Sequence, residues 1–220
     1  MKTQLIYLLR HGRTKANYDD IYQGKKIDFP LDETGVMQAQ KLGQYLLQHG
    51  HEIKQIYSSP AKRAMETSTI VAHILSSRGT KDPEGNLEPV MFVNRDLNEI
   101  DHGEWDGKTP AEVKMIWPEI VKNWWHGDQE KVRFPGGESI KAARRRILSA
   151  VKFILRDQYE NIAIVAHGGV NSIWLANLLD SKSFRPIRQF NTCINIIERS
   201  IEGRRQDFNI SLINGTEHLL

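Results

Sequence analysis

Two short runs of the sequence, Gln4–Leu9 and Asn161–Ala166, are apolar at nearly every position rather than at alternate positions. A strand of this kind has both faces covered, and this occurs mainly in parallel sheets with helices packed on the two sides. Segments with helical spacing of apolar residues lie between the strand candidates, for example Thr34–His49. The alternation therefore predicts an α/β sandwich with a mostly parallel sheet.

The remaining elements follow the same alternation along the chain. Further strands are predicted at Ile53–Tyr57, Val90–Val93, Cys193–Glu198 and Phe208–Ile213, the last two around a charged turn at Gly203. Further helices are predicted from Pro60, as the first helical position with Ser59 as N-cap, at Ala111–His126 with an interruption at Pro118, at Glu138–Leu155 and at Val170–Leu179. Arg78–Glu88, which contains Gly79, Pro83 and Gly85, is predicted to be a surface loop.

Distinctive polar residues follow three of the predicted strands. These are Arg10-His11, Ser58-Ser59-Pro60 and His167. Ligands of open α/β sheets bind beyond the carboxyl ends of the strands, where parallel strands bring such residues together. The pattern alone therefore predicts a binding site at this edge of the sheet.

The residue types at this edge suit phosphoryl transfer. A neutral imidazole such as that of His11 can attack phosphorus and form a phosphohistidine, which divides one displacement into two easier steps. The transferred group carries charge on its equatorial oxygens, so fixed cations and donors must surround it. Arg10, Arg63 in the first turn of the helix after Pro60, and His167, best protonated, are the candidates. Structural roles for each histidine or arginine taken alone are at least as common.

A phosphoester leaving group also needs a proton donor. The segment from Leu97 to Gly107 contains four acidic residues and a tryptophan. Glu99 and Asp101 are both candidates, and the pattern does not choose between them.

Composition excludes several other classes of protein. The 220 residues suffice for one domain, and the net charge of +3 fits an anionic ligand without the basic stripe expected for binding nucleic acid. With the single cysteine Cys193, no internal disulfide forms, and the histidines and acids lack metal-ligand spacing. The N-terminal segment lacks signal-peptide features and no run is long enough to span a membrane, so we expect a cytoplasmic location without membrane association.

The polar motifs together resemble a known family. Leu8 to Thr14, with the sequence LLRHGRT, resembles the R-H-G signature of the histidine phosphatase superfamily, the phosphoglycerate mutase-like proteins. Similarity extends over most of the chain and includes Asn17, Gln23-Gly24, Ser58-Ser59-Pro60 with Arg63, Glu99 with Gly103 and Trp105, Pro135-Gly136-Gly137 and His167-Gly168-Gly169.

The resemblance implies a role for each matching residue. His11 would be the phosphorylated nucleophile, Glu99 the proton donor, and Arg10, Arg63 and His167 the phosphoryl-binding residues. Other substrate-binding positions would be Asn17, Gln23, Gly24 and Gly168. The implied fold is a three-layer α/β/α sandwich, a single domain over residues 1–220 with a small helical lid near residues 98–137. In this lid, Trp117, Trp124 and Trp125 would contact substrate or pack the lid onto the body.

The segment after Glu99 and the C-terminal segment resemble the branch of broad-specificity and α-ribazole phosphatases. We therefore expect hydrolysis of small phosphorylated metabolites, with neither a metal nor another cofactor. One alternative is a phosphoglycerate-type mutase, which would form an isomer faster than free phosphate. Another is a non-catalytic relative that binds phosphorylated ligands, although such proteins are expected to lack the nucleophile or the acid.

Overall fold

The apolar run near the N-terminus forms strand β1 (Lys2–Arg10), which lies inside a six-stranded sheet in the computed structural model. The structure describes residues 2–82, 85, 89–156, 160–202 and 205–220. The other strands are β2 (Gln55–Ser58), β3 (Val90–Val93), β4 (Ile162–Ala166), β5 (Ile194–Glu202) and β6 (Arg205–Gly215).

The strands lie in the order β3-β2-β4-β1-β5-β6. Strands β3, β2, β4 and β1 run parallel to one another, whereas β5 pairs antiparallel with both β1 and β6. The prediction of an α/β fold with a mostly parallel sheet is confirmed, and each of the six predicted strands is present with bounds shifted by a few residues. Gly203, predicted to lie in the final turn, is outside the described residues.

Helices connect these strands as the alternation predicted. In chain order they are α1 (Lys15–Tyr18), α2 (Glu33–Gln48), α3 (Lys62–Ser76), α4 (Pro110–Ile116), α5 (Pro118–His126), α6 (Ile140–Ile154) and α7 (Gly168–Leu178). The predicted interruption at Pro118 is confirmed, because α4 ends before it and α5 begins with it. Of the predicted loop Arg78–Glu88, residues 83, 84 and 86–88 lie outside the described residues.

The two faces of the sheet bury different residues of the same strands. Tyr7 and Leu9 of β1 pack with apolar residues of α2 and α3. Ile6 and Leu8 point to the opposite face and join a larger cluster that includes residues of α5, α6 and α7. Burial on both faces explains the continuous apolar pattern of β1 and β4, and it produces the three layers of the sandwich.

The start of α3 differs from the prediction. Ser59 is not the N-cap; the N-cap is Ala61, which makes no side-chain capping bond. The Ser59 hydroxyl contacts His167 and Asn98, at 2.8 Å and 3.2 Å, and accepts from Ala61 N at 3.3 Å, before the helix begins. Pro60 likewise precedes the first helical residue, Lys62. Asp28, from a separate loop, caps this helix end instead. Its Oδ1 accepts a hydrogen bond at 2.8 Å from the backbone N–H of Lys62, which has no partner within the helix.

Helices α4 and α5 lie within the segment predicted to be a lid. Trp124 of α5 is buried against Phe134 and Phe184, with ring centroids 5.4 Å and 5.6 Å away, while Trp117 packs at the edge of the same cluster. Trp125 is 44% exposed. Two of the three tryptophans therefore pack the segment onto the body, and the division into body and lid stays a prediction. Within the described part of the chain, no helix is both long and apolar enough to cross a membrane.

A close backbone contact joins α2 to the loop that follows β1. A Cβ atom on Gly12 would lie 2.5 Å from the carbonyl oxygen of Gly35, and one on Gly35 would overlap the carbonyl oxygen of Arg13. Asp32, the N-cap of α2, also accepts a hydrogen bond from Gly35 N at 2.7 Å and pairs with Arg13 at 2.8 Å. The first turn of α2 therefore fixes the position of the loop that contains His11.

Gly35→Ala is expected to lower the free energy of unfolding by roughly 1–3 kcal/mol, because the added methyl group must push two backbone segments apart. Chemical denaturation measures this change. Gln40→Ala, on the exposed face of the same helix, is the control and is expected to stay within about 0.5 kcal/mol of the wild type. Equal effects of the two substitutions would show that the Gly12–Gly35 contact is not tight.

Candidate active site

The predicted convergence of three strand ends is present in the sheet. In the parallel register, Arg10 of β1 lies beside Ala166 of β4, and Ser58 of β2 lies beside Val165. The residues that follow, His11, Ser59 and His167, therefore emerge together at one edge. The ring centroids of His11 and His167 are 5.2 Å apart, although the residues are separated by most of the chain.

The His11 imidazole is held in one tautomer. Its Nδ1 atom lies 2.7 Å from the carbonyl oxygen of Gly12. Because a carbonyl only accepts hydrogen bonds, Nδ1 carries the proton and Nε2 keeps its lone pair. The backbone of the same loop is tied down by Asn191, whose Nδ2 donates to His11 O at 3.1 Å. The arrangement leaves Nε2 of a fixed ring with its lone pair available.

Burial holds the pKa of His11 well below its ordinary value, and the positive charges of Arg63 and Arg10 lower it further. Burial and the charge of Arg63 have the same effect on the pKa of His167. Both imidazoles are therefore neutral at neutral pH in this arrangement. A neutral His11 is the form that can attack phosphorus, whereas the protonated His167 expected from the sequence requires an anion beside it.

Arg10 and Arg63 bring two positive charges into this buried region. Arg10 Nη1 donates to Gln189 O at 2.6 Å, and Arg63 Nη2 donates to Gly24 O at 3.3 Å. The Nε atoms of both arginines are buried and have no hydrogen-bond partner among the described residues. Unpartnered buried guanidinium donors beside a neutral histidine are the groups that an anion would satisfy.

His167 lies on a short polar chain of side chains. Ser59 Oγ donates to Asn98 Oδ1 at 3.2 Å, so its oxygen accepts from His167 Nε2 at 2.8 Å. His167 Nδ1 is buried and unpartnered among the described residues. With Nε2 carrying the proton, Nδ1 becomes a donor only when the ring is protonated, which a bound anion would favour.

Glu99 is placed by backbone hydrogen bonds at the mouth of this region. Its Oε1 accepts from Ile100 N at 2.9 Å and its Oε2 accepts from Gly169 N at 3.2 Å. Asp101, the alternative acid, instead accepts from Gly103 N at 3.0 Å within its own loop. The structure therefore brings Glu99, and not Asp101, beside the residues that follow β4.

The other predicted binding residues contact this site in different ways. With its amide nitrogen toward Thr14, Gln23 accepts a hydrogen bond from Arg63 at 3.2 Å through its amide oxygen. Gly24 also accepts from Arg63, and Gly168 lies against the Arg10 side chain. Asn17 Oδ1 accepts from Asn191 at 3.1 Å and thus supports the His11 backbone indirectly. Their direct contact with substrate stays a prediction.

Sequence reasoning missed the groups that hold the Glu99 loop. Arg146 of α6 donates through Nη1 to the carbonyl oxygens of Asp96 and Asn98, at 2.7 Å and 2.9 Å, and pairs with Glu138 at 2.5 Å. Glu138 in turn accepts from Asp101 N at 3.0 Å. Arg146 belongs to a run of three arginines that looks like a solvated helix face, so only the fold distinguishes it from its neighbours.

A cavity of about 730 Å³ opens over the site. Its lining includes Arg10, Glu99 and Gly168 of the site together with Trp124, Trp125 and Arg185. His11, Arg63 and His167 are each at most 3% exposed. Among the described residues, no group of three histidine, cysteine or acidic side chains is arranged to hold a metal ion.

The neutral state of the two buried imidazoles predicts how stability depends on pH. The unfolded chain protonates both rings below their ordinary pKa of 6.5, whereas the folded chain keeps them neutral to lower pH. Unfolding then takes up protons, so the free energy of unfolding falls as pH decreases below 6.5, by up to about 1.4 kcal/mol per pH unit for each ring. Denaturation at pH 5–7 in dilute non-phosphate buffer measures this slope.

Replacing either ring should reduce that slope. His11→Asn and His167→Asn are each expected to flatten the pH dependence, while His73→Asn, on the exposed side of α3, should leave it as in the wild type. Wild-type slopes in both buried-site variants would contradict the assignment of neutral imidazoles.

Comparisons with known proteins identify the family of this chain. Residues 6–210 match the family model of the histidine phosphatase superfamily, branch 1. The chain is 31% identical over 178 residues to the adenosylcobalamin/alpha-ribazole phosphatase of Escherichia coli strain K12, covering 79% of this chain and 78% of that protein. It is 29% identical over 167 residues to a 2,3-bisphosphoglycerate-dependent phosphoglycerate mutase of Parvibaculum lavamentivorans, covering 74% of each.

A solved structure extends the similarity to the whole fold. The structure of Bacillus stearothermophilus YhfR is similar with a TM-score of 0.81 and 29% sequence identity, covering 99% of this chain and 100% of that one. The family match spans most of the sequence and includes the strand ends that carry His11 and His167. This chain therefore belongs to branch 1 of the histidine phosphatase superfamily.

Proposed function

We propose that this protein hydrolyses small phosphomonoesters through a phosphohistidine on His11. One observation carries the proposal: Nε2 of a neutral, fixed imidazole, which keeps its lone pair, lies close to three buried nitrogens that have no hydrogen-bond partner among the described residues, namely Arg10 Nε, Arg63 Nε and His167 Nδ1. A phosphoryl group would give each of these nitrogens an acceptor oxygen. The family includes phosphatases and mutases, so the activity class agrees with the comparisons.

The first step transfers the phosphoryl group to the enzyme. His11 Nε2 attacks phosphorus in line, a nitrogen–phosphorus bond forms, and the bond from phosphorus to the ester oxygen breaks. Glu99, in its protonated form, gives its proton to the departing alkoxide, so the leaving group departs as an alcohol. The arginines neutralise charge on the equatorial oxygens, and the anion favours protonation of His167 so that Nδ1 also donates.

The second step regenerates the free enzyme. Water enters in place of the departed alcohol, and the Glu99 carboxylate accepts a proton from it as the oxygen attacks phosphorus. The nitrogen–phosphorus bond breaks, inorganic phosphate forms, and His11 returns to its neutral form with the proton still on Nδ1. All these steps use side chains of this chain.

A cytoplasmic location is part of the proposal. The sequence has a single cysteine, Cys193, which is buried and free, so the fold needs no internal disulfide and is compatible with a reducing compartment.

A mutase is the second candidate, because phosphoglycerate mutases are among the relatives at similar identity. In that reaction the phosphohistidine returns its phosphoryl group to another hydroxyl rather than to water. The segment after Glu99 resembles that of the broad-specificity and α-ribazole phosphatases, and this resemblance favours hydrolysis over the mutase reaction. Release of inorganic phosphate and formation of isomer, measured together on phosphoglycerate with a bisphosphorylated primer, separate the two reactions.

His11→Ala is expected to lower kcat for p-nitrophenyl phosphate on the order of 10⁴-fold, because no other group in the site replaces the nucleophile. The measurement is release of p-nitrophenol by a variant whose circular dichroism and thermal midpoint show that it is folded. His73→Ala removes an exposed histidine and serves as the matched control, with activity equal to the wild type. Substantial turnover by folded His11→Ala would exclude this mechanism.

Glu99→Gln is expected to discriminate between leaving groups. An alkyl phosphate such as glycerol 3-phosphate needs a proton on its leaving oxygen, so its kcat should fall roughly 10²–10⁴-fold. The p-nitrophenolate ion is a much weaker base and leaves without protonation, so hydrolysis of p-nitrophenyl phosphate should fall far less. Equal losses on both substrates would contradict the role of Glu99 as the acid.

A further inference from the structure

The cavity extends well beyond the phosphoryl end. Its lining also includes Tyr22, Trp124, Trp125 and the segment from Phe184 to Arg188, and none of these residues takes part in the proposed chemical steps. The volume of about 730 Å³ exceeds what a phosphoryl group needs, so this part of the cavity receives the alcohol portion of the substrate. The chemistry of its walls therefore decides which alcohols are favoured.

Arg185 is the central residue of this part of the lining. Its guanidinium carbon lies 3.1 Å from the ring centroid of Trp125 and 5.2 Å from that of Trp124. Stacking covers the faces of the planar group and leaves its N–H edges as donors. Arg185 has no ion pair or hydrogen bond within the part of the chain that the structure describes.

Burial lowers the pKa of Arg185 to about 10, so the side chain is still a cation at neutral pH. A half-buried cation that is oriented by aromatic stacking and lacks a carboxylate partner has donors free for a ligand. The stacking contact also reduces the side-chain entropy that binding would otherwise remove.

Two neutral donors lie beside this cation. The Tyr22 hydroxyl and the Trp124 indole nitrogen are buried, and within the described residues neither has a partner at good hydrogen-bond geometry. The indole nitrogens of Trp124 and Trp125 interact with the Tyr22 hydroxyl and lower its pKa, so the hydroxyl can still donate its own proton to a ligand. Trp124 is only 6% exposed. Burial raises the pKa of Tyr22 and the nearby charge of Arg185 opposes that shift, which places the two groups in electrostatic contact.

The charge balance of this end is positive. Arg188 also lines the cavity, with its guanidinium carbon 5.5 Å from the Phe190 ring centroid. The acidic residue here is Asp20, which is exposed at the rim and opposes the two arginines only partly. Glu99 lies between this end and the phosphoryl site, where the proposed mechanism uses its proton.

We infer that Arg185, Tyr22 and Trp124 form a second anion-binding subsite, which selects phosphomonoesters whose alcohol portion carries its own negative group, a carboxylate or a second phosphate. The inference rests on the proposed function, since it concerns the leaving-group end of the same cavity. A charged hydrogen bond from a stacked arginine typically changes affinity by about 10-fold or more. An uncharged alcohol would leave these donors unsatisfied and would bind less tightly.

Two matched pairs of substrates test the subsite. Glycerol 3-phosphate and 3-phosphoglycerate differ by a hydroxymethyl group in place of a carboxylate, and fructose 6-phosphate and fructose 1,6-bisphosphate differ by a second phosphate. For the wild type, kcat/KM of the doubly anionic member should exceed that of its partner by at least about 10-fold in one pair. The pair that shows this preference identifies the anion as carboxylate or phosphate.

Arg185→Gln should lower that preference at least fivefold, mainly through a higher KM for the doubly anionic member. Arg145→Gln is the matched control, since it removes the same charge from an exposed position on α6 outside the cavity. A wild-type preference below about 10-fold in both pairs, or a preference that Arg185→Gln reduces less than fivefold, would overturn the inference. A merely structural role for Arg185 would alter turnover of both members equally.

A binding measurement separates failure of the subsite from failure of the proposed function. Calorimetric titration of the wild type with 3-phosphoglycerate and glycerol 3-phosphate reports the subsite even without turnover. Tighter binding of 3-phosphoglycerate that is lost in Arg185→Gln, with no hydrolysis of any substrate, would support the subsite and refute the phosphatase. Hydrolysis of p-nitrophenyl phosphate together with equal binding of the two ligands would support the phosphatase and refute the subsite.

Discussion

The hydrogen bond between His11 Nδ1 and the carbonyl oxygen of Gly12 is the constraint on which the candidate chemistry depends. It assigns the proton to one ring nitrogen and leaves the other free. The bond is possible because the loop after β1 is held in place by the first turn of α2, where Gly12 and Gly35 meet without side chains. Burial beside two guanidinium groups then keeps the ring neutral. The tautomer and position of the His11 ring thus follow from backbone packing, and its charge state follows from burial and the two guanidinium groups.

The same electrostatics connect the other site residues. Arg10 and Arg63 lower the pKa of both histidines, and among the described residues the carboxylates of Glu99, the partly exposed Asp28 and Asp106 compensate the charge of Arg63. A phosphoryl anion would relieve this arrangement by pairing with the arginines and allowing His167 to be protonated. The site is therefore organised for an anion before one binds, which is the condition for electrostatic catalysis.

The sequence predicted the parts of this account that depend on local patterns. The continuous apolar runs identified β1 and β4, and sheet geometry alone placed His11, Ser59 and His167 at one edge. The cap of α3 was predicted wrongly because Ser59 makes tertiary contacts with His167 and Asn98, which outweigh its local preference. The choice of Glu99 over Asp101 needed the family resemblance and agrees with their backbone contacts.

The contacts that sequence reasoning missed are all long-range. Arg146 holds the Glu99 loop from a helix about fifty residues away, and nothing in its neighbourhood distinguishes it from Arg144 or Arg145. The stacking of Arg185 on Trp125 likewise joins two segments with no shared motif. Arg185 and Trp125 line the cavity over the candidate site, and the lining of such a cavity is where members of one family with the same site residues can differ in substrate.

The central claim is that phosphorus becomes bonded to His11 during turnover. Rapid acid-free quenching during hydrolysis of a slow substrate, followed by peptide mass spectrometry and phosphorus NMR under alkaline conditions, tests it directly. The account predicts a phosphohistidine in the peptide that contains His11, substituted at Nε2, and formed at a rate sufficient for turnover. Turnover with no phosphorylated histidine, or with phosphate on another residue, would contradict it.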